Sequence, residues 1–434
     1  MNLGLILSIE NKNRFTLSCK LGTSVIASKD YKKGLSSLHD SIDNFLSSHS
    51  FDANCIKSLT AVCDITGLNL SAQVKTNDIG YIQQFPGKYS TDVKKLDICN
   101  KTYRVHSINL GLSKDKESLS KIGDAVRYFN EKGIEKVGLN SYFSKSYPEI
   151  ENSTHEILEN LSNGRLEITK SSIFNVDDYI SREHYLLTNL VYLDSARKLV
   201  SIINDALKVS SIKCPLYFLR GDGYLIDETS ILKEPASTWL SSHTGKILGS
   251  SKIAGAENTI VISRIKDDIT ASGVSSSLPV LPGESTRTFD MKHPGFIPKI
   301  IHIKELGNAD EMKDVINRFN FGKEDFFPLI NLTGIASENF SLMNKYLEMD
   351  DSTELTAIGA ASAFYSKNFT TTVFNASSSK IDSIKVMLLE EAERYFNEIK
   401  LNKKNISYDF SITPLKYMKY NSYFIKLSAK GHIS

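Results

Sequence analysis

An apolar run in the middle of the chain ends in Arg220-Gly221-Asp222-Gly223. A carboxylate between two glycines, just after a strand, suits a place where backbone must come close to something else. Asp222 is therefore a candidate to contact a metal, a water or a substrate. The competing reading is a turn, where Asp is favoured for its local hydrogen bonds. Asp267 and Asp268 form a second pair of carboxylates. Without phosphate ligands such a pair holds Mg²⁺ weakly, so a solvated loop before a strand is favoured there. His155 and His184 have no visible partner that would make either a base. His243 with Lys246 could take an anion at a helix start, against the plainer reading of a surface turn. No G-x-S-x-G or Cys–His pattern marks a nucleophile. Cys19, Cys55, Cys63, Cys99 and Cys214 are scattered with no C-x-x-C, which points to free thiols in a reducing compartment. No metal site is expected.

The elements that must position these residues read as follows. "LGLILSI", "RFTLSCK" and "TSVIAS" are three short strands, the first two joined by a turn at "ENKN". Lys33 to Leu46 places Leu35, Leu38, Ile42 and Phe45 on one helical face. "SLTAVCDI" is a strand, Ser118 to Lys132 a helix and "IEKVGLNS" a strand, which together make an α/β domain. Arg182 to Leu207 is a long helix, followed by the strand "CPLYFL". "TIVIS" is a buried strand by its β-branched content. Ala271 to Pro298, rich in Ser, Gly and Pro, reads as irregular chain. "FFPLINLTG" is a strand ending in a turn, and "ELTAIGAASAFYS" a helix whose small residues permit close packing. Ser379 to Lys400 is an amphipathic helix with Ile381, Ile384, Leu388, Ala392 and Phe396 on one stripe. The last segment closes with strands.

With 434 residues the chain has room for two domains, expected at 1–175 and 176–434. A net charge of +2 gives no global field for nucleic acid or a membrane surface. No apolar run approaches the length of a membrane span, and the N-terminus reads as a strand rather than a leader. A cytoplasmic location is expected.

Several stretches, in order, resemble the A-type subunit of the hydantoinase/oxoprolinase family. They include "LNSYFSKSYPEIENSTHEIL", "REHYLLTNLVYLDSARKLV" with Asn189 at its asparagine, "CPLYFLRGDGYLID", "STWLSSHTGKILGSSKIAGAENTIVIS", "ELTAIGAASAFYS" and "TPLKYMKYNSYFIKLSAKGHI". The resemblance implies a two-lobe, actin-like ATPase of ribonuclease H-like architecture. It also implies an ATP-dependent hydrolase of cyclic amides such as hydantoin, 5-oxoproline or a lactam. In such folds glycine-rich turns hold the phosphates, because glycine lets backbone N–H groups crowd an anion.

Where the family carries D-x-G-G-T this chain reads "LSIENKNRFT". Where it carries D-I-G-G-T-T-T-D the chain reads "VISRIKDDITAS", matching only at Asp268, with Ser263 near the first Asp. The S-G-P-A turn is "SSHTGK", and the late glycine-rich turn keeps only Gly334. "TAVCDITGLN" keeps Asn69 but carries Asp64-Ile65 in place of a Thr-Thr pair. The segments that build cores survive and the phosphate loops do not. The site carried over by resemblance is thus Asp222, with Gly221, Gly223, Asp268 and Gly334 around the cofactor. ATP and Mg²⁺ are implied by the family but expected not to bind. The expected role is a non-catalytic partner or scaffold subunit, as a homo-oligomer or beside a hydantoinase-like subunit. An active cyclic-amide hydrolase is the alternative.

Overall fold

The computed structural model describes residues 3–68, 78–85, 94–98, 101–111, 116–144, 147–174, 176, 178–265, 268–282, 287–288, 291–292, 297–304, 308–319, 329–334, 346–398, 406–415 and 421–432. Asn69 and Asp267 lie outside them. The chain opens with an antiparallel meander, β1 (Leu3–Asn11), β2 (Arg14–Leu21) and β3 (Ser24–Tyr31). Helix α1 (Leu38–Ser48) buries Leu38, Ile42, Phe45 and Leu46, the stripe read from the sequence. Strand β4 (Ile56–Cys63) then lies parallel to β1, and a single turn, α2 (Ile65–Leu68), follows it.

The chain next builds a separate five-stranded sheet. Its elements are β5 (Asp78–Gln84), β6 (Lys95–Ile98), β7 (Lys101–Asn109), α3 (Lys116–Glu131), β8 (Lys136–Ser141), α4 (Pro148–Ser162) and β9 (Glu167–Lys170). The order is β6-β7-β5-β8-β9, parallel except for β6. Gly80 lets β5 sit close under Phe129 of α3, because a Cβ there would stand 3.1 Å from that ring.

Helix α5 (Tyr179–Val209) leads back to the first sheet. The Asp178 carboxylate caps it by accepting from the Ser181 N–H at 2.7 Å. Its N-terminal half is buried nearly all round, which marks a helix enclosed between layers rather than lying on a surface. Strand β10 (Leu216–Leu219) joins β4 in parallel, and β11 (Tyr224–Asp227) returns antiparallel to it. After α6 (Glu228–Ile231) and α7 (Ser241–Ile253) comes a second mixed sheet. It holds β12 (Thr259–Ile265), β13 (Asp268–Ser275), β14 (Leu278–Pro279), β17 (Ile300–Ile303), β18 (Leu329–Asn331) and β19 (Tyr346–Glu348). A two-stranded ribbon, β15 (Arg287–Thr288) with β16 (Met291–Lys292), precedes β17, and α8 (Ala309–Phe319) follows it. Helix α9 (Thr353–Ser362) runs into β20 (Phe364–Val373). After α10 (Ser378–Glu398), β21 (Ile406–Pro414) and β22 (Tyr423–His432) complete the first sheet.

That first sheet has nine strands in the order β21-β22-β20-β11-β10-β4-β1-β2-β3. Strands from both sides of residue 175 therefore share it. The two larger sheets repeat one plan. Each has an antiparallel hairpin, β1–β2 or β12–β13, whose first strand is flanked on its other side by two successive parallel strands.

Two sequence readings need correction. Ala271 to Pro298 is not irregular throughout: β13 pairs with β12 along its whole length, and Ala271 and Val274 are core residues. Its Ser and Gly content reflects close packing. A Cβ on Gly273 would stand 2.6 Å from the Phe319 ring, so the small residue makes room for α8. The helix expected through "AFYS" stops at Ser362, because Ala363 turns extended and Phe364 and Tyr365 enter β20.

The close packing expected of "ELTAIGAASAFYS" is realised where α7 crosses α9. A Cβ on Gly249 would stand 2.0 Å from the Leu355 carbonyl oxygen, and one on Gly359 2.0 Å from that of Gly245. Neither helix could come this close with alanine there.

Candidate functional site

Asp222 lies on the tight turn between β10 and β11. The Gly223 N–H donates to the Arg220 carbonyl at 3.1 Å, and Gly223 has φ of 84°, which its lack of a Cβ permits. The Gly221 N–H donates to Ser237 O at 2.9 Å, and Thr244 Oγ1 of α7 donates to Gly221 O at 2.7 Å. The turn thus stands at the end of the "PLYFL" strand, tied to the helix that begins at Ser241, as its sequence suggests.

The carboxylate, however, is spent inside the turn. Arg220 Nη2 donates to Asp222 Oδ2 at 2.6 Å, and the Tyr224 N–H donates to Oδ1 at 3.3 Å. Asp222 is only 6% exposed. Burial raises its pKa, and the Arg220 charge opposes that rise without cancelling it. Burial would lower the Arg220 pKa, but the charges of Asp222 and Glu234 hold it above its usual value. Glu234 also accepts from Tyr185 of α5 at 3.3 Å.

The neighbouring loop, 235–240, is equally committed. Asn189 Oδ1 accepts from the Ala236 N–H at 2.9 Å, while its Nδ2 donates to Tyr185 O at 2.8 Å. Asp64, at the end of β4, accepts from the Thr66 N–H at 3.1 Å, from the Thr66 hydroxyl and from the Leu240 N–H at 3.4 Å. His243, in the first turn of α7, is buried and shares a 2.8 Å hydrogen bond between Nε2 and Ser272 Oγ of β13. Burial, then the charge of Lys246, pushes its pKa down to about 4, so it is neutral at pH 7. Lys246 itself pairs with Asp351 at 2.8 Å. The surface-turn reading of His243 is thus corrected: it is buried and ties α7 to β13.

The other residues carried over by resemblance lie elsewhere. Asp268 starts β13, is 68% exposed and faces His302 at 3.7 Å. It is four residues from Ser272, about 13 Å along an extended strand. Gly334 follows β18 with φ of 68°, a turn conformation that glycine adopts readily, and no described atom lies within 4 Å of a Cβ built there. Gly221, Asp222 and Gly223 therefore form one local turn, while Asp268 and Gly334 sit at the far end of the six-stranded sheet.

The β1–β2 turn shows the same commitment of polar groups. The Asn13 N–H donates to Asn11 Oδ1 at 2.9 Å, Arg14 pairs with Glu10 at 3.3 Å, and residues 10–13 are exposed. Phosphate binding needs several converging N–H groups, and this turn turns its polar side chains to solvent instead. Asp222 is likewise occupied by Arg220. Among the described residues, neither of these two turns offers the phosphates and Mg²⁺ of a nucleotide converging N–H groups or an uncommitted carboxylate. Among the described residues no group of three or more His, Cys, Asp and Glu could hold a metal. His155 makes a 3.4 Å contact with Glu159 on its own helix.

Sequence reasoning missed a buried polar network at the ends of β5 and β8. Tyr81 donates to Glu183 Oε2 at 2.6 Å, and Asn140 Nδ2 donates to Tyr81 at 3.0 Å. Arg182, 1% exposed, donates to Asn140 Oδ1, Val176 O and Ser141 O at 3.0–3.2 Å. The adjacent Arg-Glu pair at the start of an otherwise apolar helix was the available signal. Burying it couples α5 to the five-stranded sheet.

No family model matches the sequence, and no curated protein does. Solved structures do share its fold. A nucleotide-free acetone carboxylase, described as ATP-dependent, superposes with a TM-score of 0.68 at 10% identity, over 100% of this chain and 88% of that one. An ATP-dependent caprolactamase from Pseudomonas jessenii gives 0.66 at 10% identity, over 99% and 88%. The resemblance read from the sequence is borne out at the level of fold.

Proposed function

We propose that this chain is a divergent hydantoinase/oxoprolinase-like protein of two actin-like lobes that does not hydrolyse ATP and serves as a partner or scaffold subunit. The strand plan repeated in the two large sheets supports the two-lobe reading, with the α7–α9 crossing as the joint between them. In this reading the first lobe draws strands from both expected segments, 1–175 and 176–434, and the five-stranded sheet is an excursion from it.

One observation carries the loss of catalysis: the groups that would meet phosphate and metal are already paired within the protein. Arg220 closes Asp222, and Asn11 takes the N–H of the β1–β2 turn. A fold is compatible with many activities, so the ATP dependence of the similar proteins does not transfer by shape alone. With catalysis gone, the surface is what remains for function, as a homo-oligomer or beside a hydantoinase-like subunit. Among the described residues no helix is long and apolar enough to cross a membrane.

Thermal melting with and without Mg-ATP tests the reading. A ligand at 100 times its dissociation constant adds about 2.7 kcal/mol of stability. No shift is expected at millimolar Mg-ATP. A clear, magnesium-dependent rise would overturn the proposal in favour of an ATP-dependent cyclic-amide hydrolase.

A further inference from the structure

Around the C-terminal half of α7, and reaching Gly223 beside Asp222, the structure opens into a pocket of about 400 Å³, within the range of small-molecule sites. Its wall is assembled from distant parts of the chain: Thr23 of the β2–β3 turn, Lys252 of α7, Ser277 before β14, Ser362 of α9, and Phe364 and His432 of the first sheet. The His432 ring lies 3.9 Å from that of Phe364, which fixes its orientation.

Three basic side chains converge here. Lys252 and His432 line the pocket. Lys20, three residues before Thr23, is 3% exposed, and its charge acts on His432 together with that of Lys252. Among the described residues no ion pair or hydrogen bond is made by the Lys20 side chain. Its stem runs across β1 over Gly4, where a Cβ would stand 2.6 Å from Lys20 Cε. Glycine at that position lets a lysine fold into the interior. An unpaired buried ammonium is costly unless something compensates its charge. Glu257 also lines the pocket, but it is exposed at the rim.

We propose that this pocket binds a small organic anion, a carboxylate or a phosphate monoester, with Lys252 and His432 contacting it and Lys20 supplying charge from behind. The hydroxyls of Ser277 and Ser362 and the ring of Phe364 suit a ligand with polar groups and a short apolar part. The pocket touches both large sheets, so its occupant ties them together. The inference is independent of whether the chain binds nucleotide.

The pH dependence follows from the groups around His432, which are Lys20, Lys252 and Glu257, with one hydrogen bond to the Ala363 backbone. Burial, Lys20 and Lys252 lower the His432 pKa, so the imidazole is neutral at pH 7. A bound anion favours its protonated form, so affinity rises as the pH falls through and below the ordinary imidazole range. Lys20 is depressed by burial to about 8, so affinity falls again above that pH.

The experiment is calorimetric titration of the intact protein with succinate, glycerol 3-phosphate and inorganic phosphate, at ionic strength held constant with sodium chloride. Saturable binding of one or more of them is expected, weakened about tenfold by Lys252→Gln, the equivalent of one charge-assisted hydrogen bond. Lys20→Met is expected to weaken it further. Lys252 is exposed and its variant should fold even if the Lys20 variant does not. Succinate binding alone would identify a carboxylate ligand, and glycerol 3-phosphate alone a phosphate monoester. Inorganic phosphate alone would mean adventitious ion binding and overturn the proposal. So would no binding at all, or binding unchanged in Lys252→Gln. Loss of stability in the lysine variants with unchanged binding would show that the lysines only balance the C-terminal carbonyls of α7 and α9.

Discussion

The two ends of α7 face different worlds. At its N-terminal end Gly221, Asp222, Asp64 and His243 all have partners inside the protein, with the buried Ser241 hydroxyl the exception. At its C-terminal end Lys252 and His432 line an open pocket, with Lys20, whose side chain has no partner among the described residues, behind. A helix N-terminus is ordinarily the end that attracts anions. Here that end is filled by protein groups, and positive charge has gathered at the other. Where polar groups satisfy one another they make structure, and where they are left unsatisfied beside a cavity they can make a site.

The sharpest way to break this contrast is to uncouple Asp222 from Arg220. Arg220→Met leaves the Asp222 and Glu234 carboxylates facing each other with their shared cation gone. Removing one partner of a buried pair costs about 3–5 kcal/mol. Urea denaturation should show a loss of that size. Asp222→Asn keeps an oxygen for the Tyr224 N–H and should cost about 1 kcal/mol. A loss below about 1 kcal/mol in Arg220→Met would mean that the pair does not close this end of α7.

The middle of the same helix gives the next effect. Gly359→Ala places a methyl group against the Gly245 carbonyl, and backbone cannot step aside as a side chain can. Overpacking at such a contact costs about 3 kcal/mol. A melting temperature unchanged in Gly359→Ala would show that the helices can separate freely, and the closed N-terminal end would then be held by its hydrogen bonds alone.

The sequence carried this contrast unevenly. The meander, the stripe of α1, the length of α5 and the small-residue face of α9 were legible because they rest on local periodicity. The turn at Asp222 was legible from its two glycines. Its closure was not, although Arg220 stands two residues away, because proximity in sequence does not say which way a guanidinium folds. Lys20 reads as a polar position on a strand, alternating with Thr16 and Ser18. Helix α9, which packs against β1 and β2, comes more than 300 residues later, so nothing nearby could announce the burial of Lys20. Likewise β13 reads as loop because its small residues answer to Phe319 and His243, partners outside its own segment. In each case a distant element overrode the local signal.

His243 tests the closed end by pH. Its folded-state pKa is held near 4 by burial and Lys246, against an ordinary value of 6.5. The unfolded chain therefore takes up a proton first as the pH falls. Stability is greatest above pH 6.5, declines through the window from 6.5 to 4, and changes no further from this group below it. A shift of this size corresponds to about 3 kcal/mol at most. His243→Gln should remove much of that slope in denaturation measured between pH 7 and pH 4, and leave the part due to His432. An unchanged slope would mean that His243 is not held neutral in the fold.

The smallest effect is expected at Asp268, and it bears on where function went. Its carboxylate is the one residue of the β12–β13 hairpin that matches the resembled family's last Asp, yet it stands in solvent beside an exposed His302. Exposed ion pairs contribute between zero and about 1 kcal/mol, and salt screens them. Asp268→Asn should therefore change stability by less than about 0.5 kcal/mol, in line with surface substitutions generally. It should also leave anion binding at the α7 C-terminal pocket untouched, because Ser272 and His243 lie between that strand end and the helix. The same titration that reads Lys252→Gln reads this variant. A loss of binding in Asp268→Asn comparable to that in Lys252→Gln would join the two regions into one functional site, and the division between a closed end and an open end of α7 would no longer hold.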